Sequence, residues 1–108
     1  MSYKKGDILL IRFPFTDLSR SKKRPVLVIQ DENNYGDIVC FQITSQSTQQ
    51  SIFKIEPNNF NSGELKLVSF VKYDKCFTLN SEIVDKKLAS VNDKFLAQIK
   101  ELFCYMVF

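Results

Sequence analysis

A series of short strand-like runs, followed by one helical segment, is the feature that most constrains how this chain can fold. The runs are apolar or alternate apolar with polar residues, and turn-forming residues separate them, which is typical of strands in a small sheet. The cluster at residues 57–63 predicts a turn, and the charged stretch at residues 15–23 predicts a loop. We predict strands at residues 7–13, 26–29, 38–44, 52–56, 67–74 and 77–79.

The periodicity changes near the C-terminus, where apolar residues recur at helical spacing at positions 95, 96, 99, 102, 103 and 106. We predict an amphipathic helix over residues 92–103, with Asn92 as its N-cap. The 108 residues leave room for one core and therefore predict a single domain, 1–108. The predicted fold is mainly β (α+β): a small SH3-like, partly open β-barrel of about five to seven strands with this C-terminal helix.

The complete lack of histidine excludes several kinds of chemistry. It removes the commonest general base, the commonest zinc ligand and every Ser–His or Cys–His nucleophile. Cys40, Cys76 and Cys104 are far apart and odd in number, so we interpret them as small core residues, with Cys104 fitting best. We expect no metal and no other cofactor.

No apolar run approaches the roughly 20 residues that a membrane-spanning helix needs. The run after Lys4 and Lys5 is also too short for the core of a signal peptide. We therefore expect a cytoplasmic protein without a membrane partner.

Positive charge is concentrated near the N-terminus in a chain whose net charge is only +3. Five cations are opposed in that stretch only by Asp17, which fits either a polyanionic partner or a solvated loop. These cations are Arg12, Arg20, Lys22, Lys23 and Arg24.

Phosphodiester cleavage remains possible without histidine if the substrate carries its own nucleophile, as RNA does in its 2′-hydroxyl. The protein must then stabilise charge on the phosphate, and the guanidinium of Arg24 could clamp two phosphate oxygens. Pro25 restricts the backbone of Arg24, and the hydroxyl of Thr44, at a neighbouring strand end, could orient the same phosphate. Residue chemistry alone equally allows a surface arginine and a β-forming threonine.

The order of several short motifs resembles the MazF/PemK family of toxins from toxin-antitoxin systems. Gly6-Asp7 precedes an apolar run, Pro14-Phe15-Thr16-Asp17-Leu18 follows it, and Arg24-Pro25 opens the next apolar run. Residues 41–46 resemble the third motif of the family, in which an apolar strand ends in Ile-Thr and a small polar residue. Residues 71–79 and the C-terminal helix also match, so the resemblance covers essentially the whole chain.

The resemblance implies a CcdB/MazF-like plasmid-maintenance toxin fold and a metal-independent, sequence-specific endoribonuclease that cleaves single-stranded RNA. It implies that Arg24 and Thr44 are catalytic, and that the protein is a homodimer whose groove is shared by RNA and a cognate, acidic antitoxin. The glycine-rich first loop of some family members is replaced here by residues without glycine, which adds cationic contacts. The expected RNA-binding residues are Phe15, Thr16, Ser19, Arg20, Lys22, Lys23, Ser45 and Gln46.

Three alternatives fit the same sequence. Gyrase-poisoning toxins share this barrel and act on a protein target without cutting RNA. A plain barrel module could bind nucleic acid or a peptide, with Phe15 and Tyr73 available for stacking. A catalytically degenerate toxin could retain only antitoxin binding.

Overall fold

The computed structural model describes residues 2–13 and 22–108, which form one antiparallel sheet and one long helix. The strands lie in the order β4-β6-β3-β2-β1-β7-β5, and single 3₁₀ turns at Pro57–Asn59 and Ser81–Ile83 connect some of them. The elements are β1 (Asp7–Phe13), β2 (Lys22–Gln30), β3 (Asp37–Thr44), β4 (Ile52–Lys54), β5 (Phe60–Gly63), β6 (Phe70–Asn80), β7 (Val84–Val91) and α1 (Asp93–Val107).

The predicted fold class is confirmed, because the described chain is mostly β, with an open seven-stranded antiparallel sheet and a C-terminal helix. Strands β1 and β3 match their predictions closely. The strand predicted at residues 52–56 ends at Lys54, and β2 begins at Lys22 rather than at Val26. The charged Lys22-Lys23 pair is therefore part of a strand, although its polarity indicated a loop.

Two further predictions were wrong in the second half of the chain, and one strand there was not predicted at all. The strands predicted at 67–74 and 77–79 are one strand, β6, whose pairing with β3 shifts register and continues. The predicted turn at 57–63 contains β5, and β7 was missed altogether. The middle of β7 is exposed, so its sequence lacks the apolar alternation that reveals a strand.

Alternating side chains of the central strands supply two separate cores, one on each face of the sheet. The helix-side core includes Ile8, Leu27 and Phe41 together with Phe95 and Ile99 of α1. The far-side core is formed by the intervening residues of the same three strands. Its members are Leu9, Ile11, Val26, Val28, Ile38 and Cys40.

Helix α1 begins where the sequence predicted, since the Asn92 side chain accepts a hydrogen bond from the backbone N–H of Phe95 at 2.9 Å. Its packing is aromatic: the Phe103 ring lies 5.1 Å from the ring of Phe41, centroid to centroid. The helix extends beyond the predicted end, to Val107. Met106 was predicted on the buried face and is instead 42% exposed.

Gly6 and Asp7 fix the start of β1 against its neighbours. Gly6 has φ +97°, a conformation that favours glycine, and it donates to the Val28 carbonyl at 2.8 Å. Its own carbonyl accepts from the Val91 N–H at 2.8 Å. The largely buried Asp7 carboxylate accepts from the Lys4 N–H at 3.0 Å and pairs with Lys87 at 3.1 Å. The Gly-Asp motif is therefore structural.

The cysteines are only partly the core residues that the sequence indicated. Cys40 is buried, Cys104 is half-buried and Cys76 is exposed, so the best core residue is Cys40 rather than Cys104. Burial, with a smaller effect of the Cys76 thiol, raises the pKa of Cys40 to about 12. Cys40 therefore stays a protonated, poorly nucleophilic thiol at neutral pH.

Candidate active site

The register between β2 and β3 brings the two predicted catalytic residues to one place. Val26 lies opposite Gln42, and the same register holds through the next two pairs along the strands. If this register is continued two residues beyond the Val26–Gln42 pair, Arg24 lies opposite Thr44. The paired ladder itself ends at Val26, beside Pro25, which has no N–H to extend it.

Strand alternation puts Arg24 and Thr44 on the same face of the sheet. Arg24 is two residues from Val26, and Thr44 is four from Cys40; both of these neighbours belong to the far-side core. Directly opposed residues of an antiparallel pair have Cβ atoms about 4.5–5.5 Å apart. Arg24 and Thr44 are both half-buried, at the point where the far-side core gives way to polar side chains.

Lys23 belongs to the other face, because successive residues of a strand point in opposite directions. It lies opposite Arg12 in the ladder, and Asp85 of β7 pairs with both cations. The Asp85 carboxylate lies 3.2 Å from the Lys23 ammonium and 3.7 Å from the Arg12 guanidinium. What looked like one basic patch in the sequence is thus divided between two faces, and the Lys23 charge is partly compensated.

Several predicted RNA-binding residues lie wholly or partly outside the described part of the structure. The backbone of Lys22 pairs with Phe13 in the β1–β2 ladder, while its side chain is outside the described part of the structure. The remaining members of that set, Phe15, Thr16, Ser19 and Arg20, lie outside the described residues. Their roles stay predictions.

The polar loop (residues 45–51) folds back over Thr44. The backbone N–H of Gln46 donates to the Thr44 hydroxyl oxygen, Oγ1, at 3.2 Å. The side-chain amide of Gln49 donates to Gln46 Oε1 at 2.7 Å and reaches Thr44 Oγ1 at 3.5 Å. Ser45 and Gln46, both predicted to bind RNA, are exposed on this loop beside the threonine.

Lys72 and Asp74 of β6 are part of the same site, although the sequence analysis gave them no role. Lys72 lies opposite Gln42, one diagonal step from Thr44, and its side chain is only 11% exposed. Its ammonium contacts the Asp74 carboxylate at 3.0 Å and the Gln50 carbonyl at 3.0 Å. A lysine between the apolar residues of a central strand is the signal that could have revealed it.

Tyr73, which the binding-module alternative used as a stacking residue, has a different environment. Its side chain is half-buried and packs against the helix-side core. That alternative therefore loses one of its two aromatic contacts, and the other, Phe15, is outside the described residues.

The described part of the chain offers little support for other kinds of site. Among residues 2–13 and 22–108, no group of three or more Cys, Asp or Glu side chains is arranged to hold a metal ion. None of the helices in these ranges is both long enough and apolar enough to span a membrane.

Comparison with solved structures identifies the fold. A MazE–MazF complex from Deinococcus radiodurans has a chain similar to this one with a TM-score of 0.80 and 15% identity, covering 97% of this chain and 95% of that chain. MazF from the same organism is similar with a TM-score of 0.72 and 18% identity, covering 99% of this chain and 97% of that chain. A mycobacterial endoribonuclease in complex with its cognate antitoxin is similar with a TM-score of 0.68 and 15% identity, covering 95% of this chain and 90% of that chain.

The described fold is therefore that of the MazF-like proteins. The family profile described as PemK-like, MazF-like toxin of type II toxin-antitoxin system matches residues 4–107, and the chain belongs to this family. No protein of curated function matches the chain by sequence.

The register that sets Arg24 opposite Thr44 can be tested by cross-linking. In a background with Cys76→Ser and Cys104→Ala, we expect the Arg24→Cys/Thr44→Cys protein to form an internal disulfide under mild oxidation. Directly opposed strand residues have Cβ atoms about 4.5–5.5 Å apart, which begins at the upper end of the disulfide range, so a small local adjustment lets the bond close. Mass spectrometry of the oxidised peptides measures the yield.

The matched control is Lys23→Cys/Thr44→Cys, whose thiols start from opposite faces and should not cross-link within the monomer. Equal disulfide yields from the two proteins, or a higher yield from the control, would contradict the proposed register.

Proposed function

We propose that this toxin is a metal-independent endoribonuclease that cleaves single-stranded RNA, including mRNA, at a short sequence and so inhibits translation and growth. The observation that supports the proposal is the β2–β3 register, which ends at Val26 and Gln42 and, if continued by two residues, sets Arg24 opposite Thr44 on one face of the sheet. It combines a permanent cation with a neutral hydroxyl donor at the end of an apolar core. The naming of a similar mycobacterial protein as an endoribonuclease supports the proposal.

The chemistry follows from these two groups and from the RNA itself. The 2′-oxygen attacks the adjacent phosphorus and loses its proton to water, and the bond to the 5′-oxygen breaks as that oxygen gains a proton from water. The products are a 2′,3′-cyclic phosphate and a 5′-hydroxyl end. Arg24 stabilises the negative charge on the phosphorane oxygens through the N–H donors of its planar guanidinium, which can contact two oxygens at once.

Residues around Arg24 and Thr44 are among those that we propose to bind the RNA. Ser45 and Gln46 are exposed next to Thr44 and present hydroxyl and amide groups that suit the edges of unpaired bases. Lys72 adds positive charge one diagonal step away, reduced by its contact with Asp74. Other residues at the N-terminal side contact the RNA: the cations and polar groups hold its backbone, and the aromatic ring stacks on a base. In this proposal they are Phe15, Thr16, Ser19, Arg20, Lys22 and Lys23.

We further propose that the toxin acts in the cytoplasm as a homodimer and is neutralised by a cognate, acidic antitoxin. The complex of Deinococcus radiodurans MazF with MazE, and that of the mycobacterial endoribonuclease with its antitoxin, support a protein partner. Light scattering at micromolar concentration should give twice the mass of the 12.6 kDa chain. A single-chain mass under these conditions would remove the dimer from the proposal.

The reaction is tested by incubating the protein with mixed single-stranded RNA in EDTA. We expect cleavage at a recurrent short sequence, with cyclic phosphate and 5′-hydroxyl ends. Arg24→Ala should lower the cleavage rate at least about a hundredfold, because it removes the group that compensates phosphorane charge. Sequencing of the cut ends, with gel quantification of full-length RNA, measures both results.

Lys23→Ala is the matched control, since it removes a neighbouring cation from the other face. It should keep kcat and raise KM modestly, with a smaller salt dependence. Intact RNA together with inhibition of gyrase would replace this proposal by the gyrase-poisoning alternative. Full activity of Arg24→Ala would remove the proposed mechanism.

A further inference from the structure

Gln49 differs from the other residues of the polar loop because its side-chain amide contacts both a loop residue, Gln46, and the last residue of β3, Thr44. Its Nε2 donates to Gln46 Oε1 at 2.7 Å, which fixes the plane of the amide. The same nitrogen lies 3.5 Å from Thr44 Oγ1. Gln49 is half-buried, whereas its neighbours in the sequence, Thr48 and Gln50, are exposed. The loop therefore brings Gln49, and neither neighbour, inward to the threonine.

The hydrogen bonds at Thr44 have a consequence for its proton. A threonine hydroxyl has two lone pairs that accept and one hydrogen that it donates. One lone pair accepts from the Gln46 N–H at 3.2 Å, and the second faces the Gln49 amide. With both acceptor positions directed at loop donors, the hydroxyl hydrogen is left to be donated away from the loop. A phosphate bound between Arg24 and Thr44 would then be the acceptor for this hydrogen.

We propose that Gln49 is a positioning residue that makes Thr44 a one-way hydrogen-bond donor to the phosphate. This inference rests on the proposed ribonuclease function and deepens it. Thr44 donates to a phosphoryl oxygen whose negative charge grows during the attack, so the interaction strengthens toward the transition state. Gln49 does not touch the RNA in this account; it acts by occupying the acceptor side of the threonine hydroxyl.

The substitution Gln49→Glu tests the proposal because it reverses the polarity of the contact while keeping its shape. An ionised glutamate cannot donate to Thr44 Oγ1 and instead accepts the hydroxyl hydrogen, which turns it away from the phosphate. We expect kcat at pH 8, measured at saturating RNA, to fall about tenfold, the order that one mispaired hydrogen bond produces. KM should change less than kcat.

The pH profile separates this role from a merely structural one. The carboxyl that Gln49→Glu introduces can donate again once it is protonated, and the ordinary pKa of glutamate is about 4.3. The ratio of the variant kcat to the wild-type kcat should therefore stay low above about pH 6 and rise as the pH falls toward about 4. Gln49→Met, which has neither donor nor acceptor of comparable strength, should show a reduced ratio that does not change with pH.

Gln50→Glu is the matched control, because it adds the same charge one residue further along the loop. It should raise KM through repulsion of RNA and leave the kcat ratio near one at every pH. If wild type cuts RNA and Gln49→Glu behaves as this control does, the inference is overturned while the proposed function stands. Failure of the wild type itself to cut RNA would remove both.

An independent readout is the side-chain amide NMR signal of Gln49 in the protein without RNA. Thr44→Val should shift this signal, since it replaces the oxygen that the amide faces, and should leave the amide signal of Gln98 on α1 unchanged. An unshifted Gln49 signal would show that the contact with Thr44 does not exist, whatever the catalytic activity.

Discussion

The antiparallel register of β1, β2 and β3 is the constraint on which the rest of the structure depends. A strand that slips by one residue exchanges its two faces, so every buried side chain becomes misplaced at once. Here Val26 and Val28 belong to the far-side core and Leu27 to the helix-side core, so burial on both faces fixes β2 in its register. The position of Arg24 follows directly, because it occupies the next place in the same alternation.

The first motif of the family has a different physical meaning from the later ones. Gly6 links β2 and β7 through its backbone, and Asp7 satisfies the Lys4 N–H and the Lys87 ammonium. Neither residue lies in the ladder row of Arg24, whose partner on β1 is Ile11. The strand-end residues Arg24 and Thr44, by contrast, contribute little to the core and present polar groups at its edge. The Gly6-Asp7 motif thus stabilises the sheet, whereas the motifs of Arg24 and Thr44 place polar side chains at the edge of the core.

Much of the fold and the main pair of the site could be predicted from the sequence. Apolar runs revealed β1 and β3, helical spacing revealed α1, and the last residue of the third run, Thr44, ended a strand as expected. The missed strand β7 carries exposed charged residues in its first half, where no apolar pattern distinguishes a strand from a loop. It contributes Asp85, whose pairing with Lys23 and Arg12 depends on tertiary contacts that local patterns do not encode.

The same reasoning explains the residues that sequence analysis left out. The pairing of Lys72 with Gln42 depends on a register shift in the middle of β6, and the inward turn of Gln49 depends on the path of the polar loop. Both features are set by the three-dimensional path of the chain, which local sequence patterns do not encode. In the proposed mechanism Arg24 and Thr44 carry the chemistry, and Gln49 and Lys72, which only the structure reveals, surround Thr44.

A double-mutant cycle on single-turnover RNA cleavage tests the central claim most directly. Arg24 and Thr44 are predicted to act as one unit on the same phosphoryl group, so their losses should not add. Arg24→Ala combined with Thr44→Val should cleave within about twofold of the slower single variant, which, for a loss of about tenfold in Thr44→Val alone, is a coupling of about 1 kcal/mol. Rate losses that simply multiply would show that the two residues act independently and would contradict the account.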